Sequence, residues 1–411
     1  MARRWLLVLV AATGCRGLLG IEDPFVADAG NASLDAAPDA SCSRSAKRFD
    51  ACALGTPSPA LHLMAGDYTF DTTPVPAQLR SETSATPLVT TARTFAQSDG
   101  QTAVILYVSA LSIDTLAKLK IVGARPAIIV ADDDIVISGA IDAGSHLAEI
   151  SATTHVSMNV QIGAGANPPC SFSGGSAGAN AQPTAGSGGG GGGASAGAGG
   201  NGGTGDGGLV LGGKGGSVQS APTAVRGGCA GGSSGTAGTG ATLPATQGTV
   251  SSSGAGGGAL HLASFKKIRI LGSVLAGGAG GAGSPQGAAC GGGGGGSGGY
   301  LGIEAPVVAL EAADLAANGG GGGGGALNAG FGANGRDGHQ GTDLTSGGAA
   351  QSCGTGGGYG GAVLATGQSV VSSDSCGGGG GGGGAGFIAI WTDALSMMGS
   401  TISPAPRIDL P

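Results

Sequence analysis

The sequence predicts an all-β chain, built from short strands stacked as in a parallel β-helix or β-solenoid, with glycine-rich insertions between them. Three observations carry this expectation. Short apolar runs recur, each bounded by Gly, Pro, Asp or Ser, as strands are. The corners between the densest of these runs are too short for anything but tight turns, and the strands are shorter than hairpin meanders usually need. Finally, 93 of 411 residues are Gly and only 3% are aromatic, so much of the chain cannot build a core of large side chains. A β-sandwich is the second choice.

The N-terminus carries its own message. Arg3 and Arg4 precede an apolar run from Leu6 to Ala12, which leads into Thr13-Gly14-Cys15. A basic start, a short apolar stretch and small residues form the pattern of a signal peptide over residues 1–14. The run is too short to span a bilayer as a helix. Ala12-Thr13-Gly14-Cys15 resembles a bacterial lipobox, with Ala12 where Leu is usual. The resemblance implies that Cys15 receives a diacylglycerol and becomes the mature N-terminus. Arg16, standing where an inner-membrane retention signal would have Asp, implies the outer membrane. Residues 15–41, rich in Ala, Ser, Asp and Pro, predict a disordered tether of roughly 30 Å r.m.s. span. Processing would remove two arginines and no acid, moving the net charge from −7 to −9.

Residues 42–165 form the expected β-rich domain, with runs at 61–63, 68–70, 103–108, 119–122, 127–130 and 135–138. Residues 166–411 form a glycine-rich repeat region. One block recurs, beginning at Ala127, Ala259, Tyr300 and Phe387, with weaker copies at Leu209–Leu211 and Val363–Leu364. The spacings are near multiples of 43 residues, a repeat-like period. Between the blocks lie glycine runs at 188–193, 291–296, 319–325 and 377–384, and Gly332, Gly335, Gly338 and Gly341 recur at every third position. A three-residue step suits extended threefold helices of the polyglycine-II kind, packed side by side. In composition, residues 170–386 resemble the glycine-rich part of the PE-PGRS proteins and the glycine-rich domains of certain receptor kinases, although no PE-type helical domain precedes them. As a whole the chain resembles glycine-rich lipoproteins of bacteria with large genomes, a resemblance that implies no activity.

Eight cysteines remain seven if Cys15 is acylated. Cys42, Cys52, Cys170, Cys229, Cys290, Cys353 and Cys376 are disulfide candidates, since export permits disulfides and no CxxC or Cys/His clustering suggests a metal. Cys42 and Cys52 are a natural local pair, which leaves two bridges and one thiol among the other five.

Few motifs carry chemistry. G-x-S-x-G surrounds Ser176, Ser233 and Ser297, but a chain this rich in Gly and Ser generates that string freely. Lys214 ends a P-loop-like string that has Gly215 where Ser or Thr must hold Mg²⁺. Asp132, Asp133 and Asp134 form the densest acidic run, a weak metal candidate whose plainer reading is a solvated turn. No cofactor is implied. The lack of a basic patch with interleaved aromatics excludes nucleic acid as a partner.

The expected function is a non-enzymatic cell-envelope lipoprotein with a structural, adhesive or matrix-interaction role. Its partners would be the membrane, through the lipid, and envelope polysaccharide or other surface proteins. The alternatives are a β-helical enzyme acting on polysaccharide, with Asp132–Asp134 and Arg125 as its nucleus, and a calcium-stabilised binding solenoid.

Overall fold

The computed structural model describes residues 45–84, 86–89, 92–147, 159–181, 186–237, 250–286, 289–326, 330–350, 354–361 and 376–410. The strands in chain order are β1 (Leu61–Leu63), β2 (Gly66–Asp71), β3 (Gln78–Ser81), β4 (Pro87–Val89), β5 (Arg93–Ala96), β6 (Thr102–Val108), β7 (Leu111–Ile113) and β8 (Ala117–Val122). They continue as β9 (Ala127–Ala131), β10 (Ile135–Ile137), β11 (Ala140–Asp142), β12 (His146–Leu147), β13 (Asn159–Gln161), β14 (Ala259–Ser264), β15 (Lys267–Ile270) and β16 (Ser273–Leu275). The last are β17 (Tyr300–Glu304), β18 (Val307–Glu311), β19 (Asp314–Ala316), β20 (Phe387–Trp391), β21 (Ala394–Met398), β22 (Thr401–Ser403) and β23 (Arg407–Asp409).

The architecture is all-β, with parallel sheets. Successive strands go to successive sheets, so each three-strand unit of chain adds one strand to each of three sheets. The first sheet runs β5-β6-β9-β14-β17-β20-β23, the second β1-β7-β10-β15-β18-β21, and the third β4-β3-β2-β8-β11-β16-β19-β22. Register is kept from unit to unit. Val104, Ala127, Leu260, Leu301 and Ile388 are paired in turn across the first sheet. Leu111, Ile135, Ile268, Val308 and Leu395 do the same across the second, and Leu119, Ile141, Val274, Leu315 and Ile402 across the third. These rows meet in one apolar interior drawn from all three sheets. Antiparallel pairing occurs where β3, β4 and β5 finish the first and third sheets, and in the separate pair β12–β13.

Strand sequences follow from which faces are covered. In the third sheet β8 alternates buried and half-buried residues, the signature of one covered face. In the first sheet β9 and β14 are buried throughout. A second apolar cluster explains this: Phe49, Ala51 and Leu54 cross the outer face of that sheet and pack on Ile128, Val130, Ala259, Tyr300 and Trp391. Residues 45–54 therefore act as a strap. The strand corners are tight enough to demand glycine. A Cβ at Gly139 would sit 2.3 Å from the carbonyl oxygens of Asp114 and Ala117, and one at Gly272 only 1.8 Å from that of Gly139.

The repeat blocks at 127, 259, 300 and 387 do share one sheet, but Ala127 pairs with Leu260, so the first is offset by one residue. The weaker copy at Leu209–Leu211 joins no sheet. Leu209 and Leu211 are exposed, and Val210 makes one isolated bridge to Gly205. The copy at Val363–Leu364 lies outside the described residues. A three-strand unit needs no more than the 23 residues between Val104 and Ala127. The longer spacings arise because glycine segments are inserted between units; β9 and β14, on either side of residue 165, pair directly.

Those segments have a regular pattern of their own. Along Gly291–Gly299, the amides of Gly292, Gly295 and Gly298 donate to the carbonyls of Gly378, Gly381 and Gly384. Those of Gly293, Gly296 and Gly299 donate to Ala282, Ala279 and Ala276, and those of Gly294 and Ser297 to Gly232 and Cys229. Every third amide thus points to the same neighbour. The same segment accepts from Gly190 and Gly193, from Gly254 and Gly257, and from Gly320 and Gly323. The Gly332-Gly335-Gly338 step behaves alike, donating to Ser284, Gly281 and Gly278. Several of these rows lead directly into strands of the first sheet, as at Tyr300 and Phe387, so the sheets and glycine rows form one hydrogen-bonded body.

Candidate functional site

The sequence-derived candidates are mostly spent on structure. Asp132, Asp133 and Asp134 occupy the corner between β9 and β10. Asp132 accepts from the Tyr107 hydroxyl, Asp133 pairs with Lys266, and Asp134 is exposed. No group of three or more His, Cys, Asp or Glu residues able to hold a metal occurs among the described residues. Two of the three carboxylates thus already have side-chain partners. Arg125 is also engaged. Its Nε donates to the Thr72 carbonyl at 2.7 Å, and its Nη2 to those of Thr73 and Pro74 at 3.0 and 2.5 Å. The serine motifs lie on glycine rows. Ser176 Oγ bonds to the Lys214 backbone, and Ser297 Oγ, fully buried, accepts from the Cys229 amide at 2.8 Å.

Among the disulfide candidates, Cys170 and Cys229 are bonded, and Cys52 and Cys376 are also in disulfides. Cys290 is not: its thiol is free and buried, with Ser284 Oγ at 3.1 Å and Ser251 Oγ at 3.6 Å. Burial raises its pKa, so it is a poor nucleophile. Cys15, Cys42 and Cys353 lie outside the described residues.

Two polar clusters were not anticipated. In the first, Asp142 at the end of β11 is buried and bonded to Lys118 Nζ at 3.1 Å and to His146 Nε2 at 3.1 Å. His146 Nδ1 bonds to Asp337 at 3.1 Å. Asp337 also accepts from the amides of Leu147 and Gly280, tying β12 to two glycine rows. Hydrogen bonds to both carboxylates push the His146 pKa up to about 9. Burial alone would raise Asp142, but the bonds and charges of His146 and Lys118 outweigh it and hold the group below its usual range. These contacts join β8, β11 and β12 to two glycine rows.

The second cluster lies under and beside the strap. His261 is fully buried on the outer face of β14, with Nε2 3.1 Å from Glu304 Oε2. Glu304 also accepts from the Lys47 amide at 2.8 Å, which fixes the start of the strap. Arg48 then lies with its guanidinium 5.0 Å from the Trp391 ring centre and 5.7 Å from that of Tyr300, and donates from Nε to the Tyr300 hydroxyl at 3.1 Å. Burial pushes the Tyr300 pKa up to about 12, so that hydroxyl stays neutral. Next to this stack is a cavity of about 270 Å³. Tyr300, Phe387, Ala389 and Trp391 form its floor, Lys47 and Arg48 one wall, Ala221–Thr223 another, and Arg407 and Asp409 of β23 its rim. The wall loop is pinned by paired bonds between Gln97 and the Val225 backbone, at 2.7 and 3.0 Å.

The chain's signals for this pocket were present but local. His261 interrupts an otherwise apolar strand, and Trp391 is the only tryptophan after Trp5. What joins them is a five-segment contact that no spacing rule encodes. No helix among the described residues is long and apolar enough to cross a membrane. Comparison with protein-family models, with curated proteins and with solved structures yields no match.

Proposed function

We propose that this chain is a non-enzymatic lipoprotein of the bacterial cell envelope, anchored to the outer membrane through Cys15, that serves as a rigid structural and adhesive module. We read its body as a parallel β-solenoid fused to a polyglycine-II-type bundle. The solenoid reading is supported by the unit-to-unit register in three sheets and by the corner glycines. The bundle reading is supported by the three-residue hydrogen-bond step, since a threefold extended helix directs every third amide the same way.

One observation carries the functional reading. The row Gly291–Gly299 exchanges backbone bonds with six neighbouring rows, and a Cβ at most of its positions would fall about 2 Å from a neighbour's carbonyl oxygen. Such a body gains rigidity from backbone bonds and close contact, with no need for large side chains. Backbone rows of this kind suit a spacer and presentation surface more than a catalyst. The apolar leader, the lipobox-like Cys15 and the polar stretch after it support export and anchoring.

Membrane fractionation, with mass spectrometry of the N-terminus, tests the anchor in wild type and Cys15→Ala. A diacylated Cys15 in the outer-membrane fraction, lost in the variant, is the expected result. An unmodified, soluble wild-type chain would overturn it.

A further inference from the structure

We infer that the pocket between the strap, the 221–223 loop and β23 binds a carboxylated sugar ring, the uronic acid unit of an anionic polysaccharide. This deepens the adhesive reading above and rests on it. The argument begins with charge. The chain carries a net charge of −7, yet this cavity is lined by Lys47, Arg48 and Arg407 against one carboxylate, Asp409. Arg407 and Asp409 are paired at 3.3 Å, while Lys47 and Arg48 make no ion pair among the described residues, the Glu304 carboxylate being taken up by the Lys47 amide and His261.

Arg48 is preorganised. Its Nε is held by Tyr300 and its face by Trp391, while Nη1 and Nη2 make no bond to the protein among the described residues. A guanidinium fixed in this way presents its fork to a planar carboxylate. The floor supplies the other half of a sugar site: the half-buried Phe387 ring offers an apolar surface for the C–H side of a pyranose, next to Trp391, whose face backs Arg48. The volume of about 270 Å³ is just under the ~300 Å³ lower end of ligand clefts, so one ring fits. Lys47 and Arg407 are exposed at the mouth, where the flanking units of a polymer would leave.

Trp391 reports on its own site. In the full chain carrying Trp5→Phe it is the only tryptophan, so its fluorescence can be titrated with trigalacturonate, with neutral maltotriose and with inorganic phosphate. A saturable change with trigalacturonate alone is expected, weakened at least tenfold in Lys47→Gln/Arg407→Gln and in Arg48→Gln. The double variant alters two exposed side chains and keeps the Lys47 amide on Glu304, so it tests the pocket even if Arg48→Gln loosens the strap. The assignment is overturned if trigalacturonate gives no saturable change, if maltotriose or phosphate matches it, or if the double variant binds like wild type. Retention on immobilised polygalacturonate separates the two readings. Retention that survives the double variant removes the pocket and leaves adhesion standing; a titrating Trp391 without retention on any matrix keeps the pocket and removes adhesion.

Discussion

His261 and Gly302 face each other in register on β14 and β17, and the His261 ring occupies the space a side chain at Gly302 would fill. A Cβ there would lie 2.1 Å from His261 Nδ1. The absent side chain therefore holds the imidazole where Nε2 meets Glu304, and Glu304 in turn holds the strap at Lys47. Gly302→Ala should displace the ring and break that chain of contacts, costing about 2–4 kcal/mol. Denaturant unfolding checks this. The double variant Gly302→Ala/His261→Ala should lose clearly less than the sum of the two single changes, because both act on one contact. Strict additivity would show that the packing relationship carries no energy.

The glycine rows make a sharper contrast. A Cβ at Gly295 would meet the Gly320 carbonyl oxygen at 2.1 Å, and backbone inside a bundle cannot yield. At Gly356 the closest atom is 3.5 Å away, and the residue is exposed. Gly295→Ala should destabilise by about 3 kcal/mol or more, and Gly356→Ala by less than about 0.5 kcal/mol. Thermal unfolding of both variants measures the difference. Equal tolerance at the two sites would mean that the rows are not closely packed.

Much of this architecture was legible in the sequence, and the reason is local. Strands in the first sheet, covered on both faces, are continuous apolar runs such as Val104–Val108, while β8 alternates because one face meets solvent. The three-residue step at Gly332, Gly335 and Gly338 is visible as spacing, and its amides do reach a single neighbour row. Alignment of repeats was good to one residue, since an apolar block marks a strand without marking its register.

The pocket was not legible. Lys47 and Trp391 are far apart in the chain, and only the strap's path over the first sheet brings them together. At Asp132–Asp134 the sequence shows the density of charge but not its partners, which are Tyr107 for Asp132 and Lys266 for Asp133.

The Cys170–Cys229 bridge spans 59 residues, and it ties the 170–173 turn to the start of a glycine row. In the chain-entropy account a loop of that length contributes roughly 4 kcal/mol. Cys170→Ser/Cys229→Ser should therefore lower the denaturation midpoint markedly. Thiol titration of the native protein should leave Cys290 unreactive until unfolding, because it is buried. Rapid labelling of Cys290 in the native state would place it at the surface instead.

Stability should also carry the signature of His146. Its folded pKa of about 9 lies above the 6.5 of an unperturbed histidine, because Asp142 and Asp337 bond to both ring nitrogens. The folded state therefore holds a proton that the unfolded chain releases above pH 6.5. This contribution is fully present below about pH 6.5, fades between there and pH 9, and is absent above. With the ring about one-third exposed, solvent screening reduces it to on the order of 2–3 kcal/mol. The paired Asp142 acts oppositely. Its lowered pKa stabilises above the usual carboxylate range and is lost as acid protonates it. Tyr300, raised to about 12 by burial, adds a separate loss only above pH 10. Denaturant midpoints at pH 6, 8 and 9.5 should thus fall in wild type and stay nearly level in His146→Gln. A wild-type profile that is flat across this window would mean that His146 titrates near its ordinary value, and that the joint between β11, β12 and the glycine rows is held without its charge.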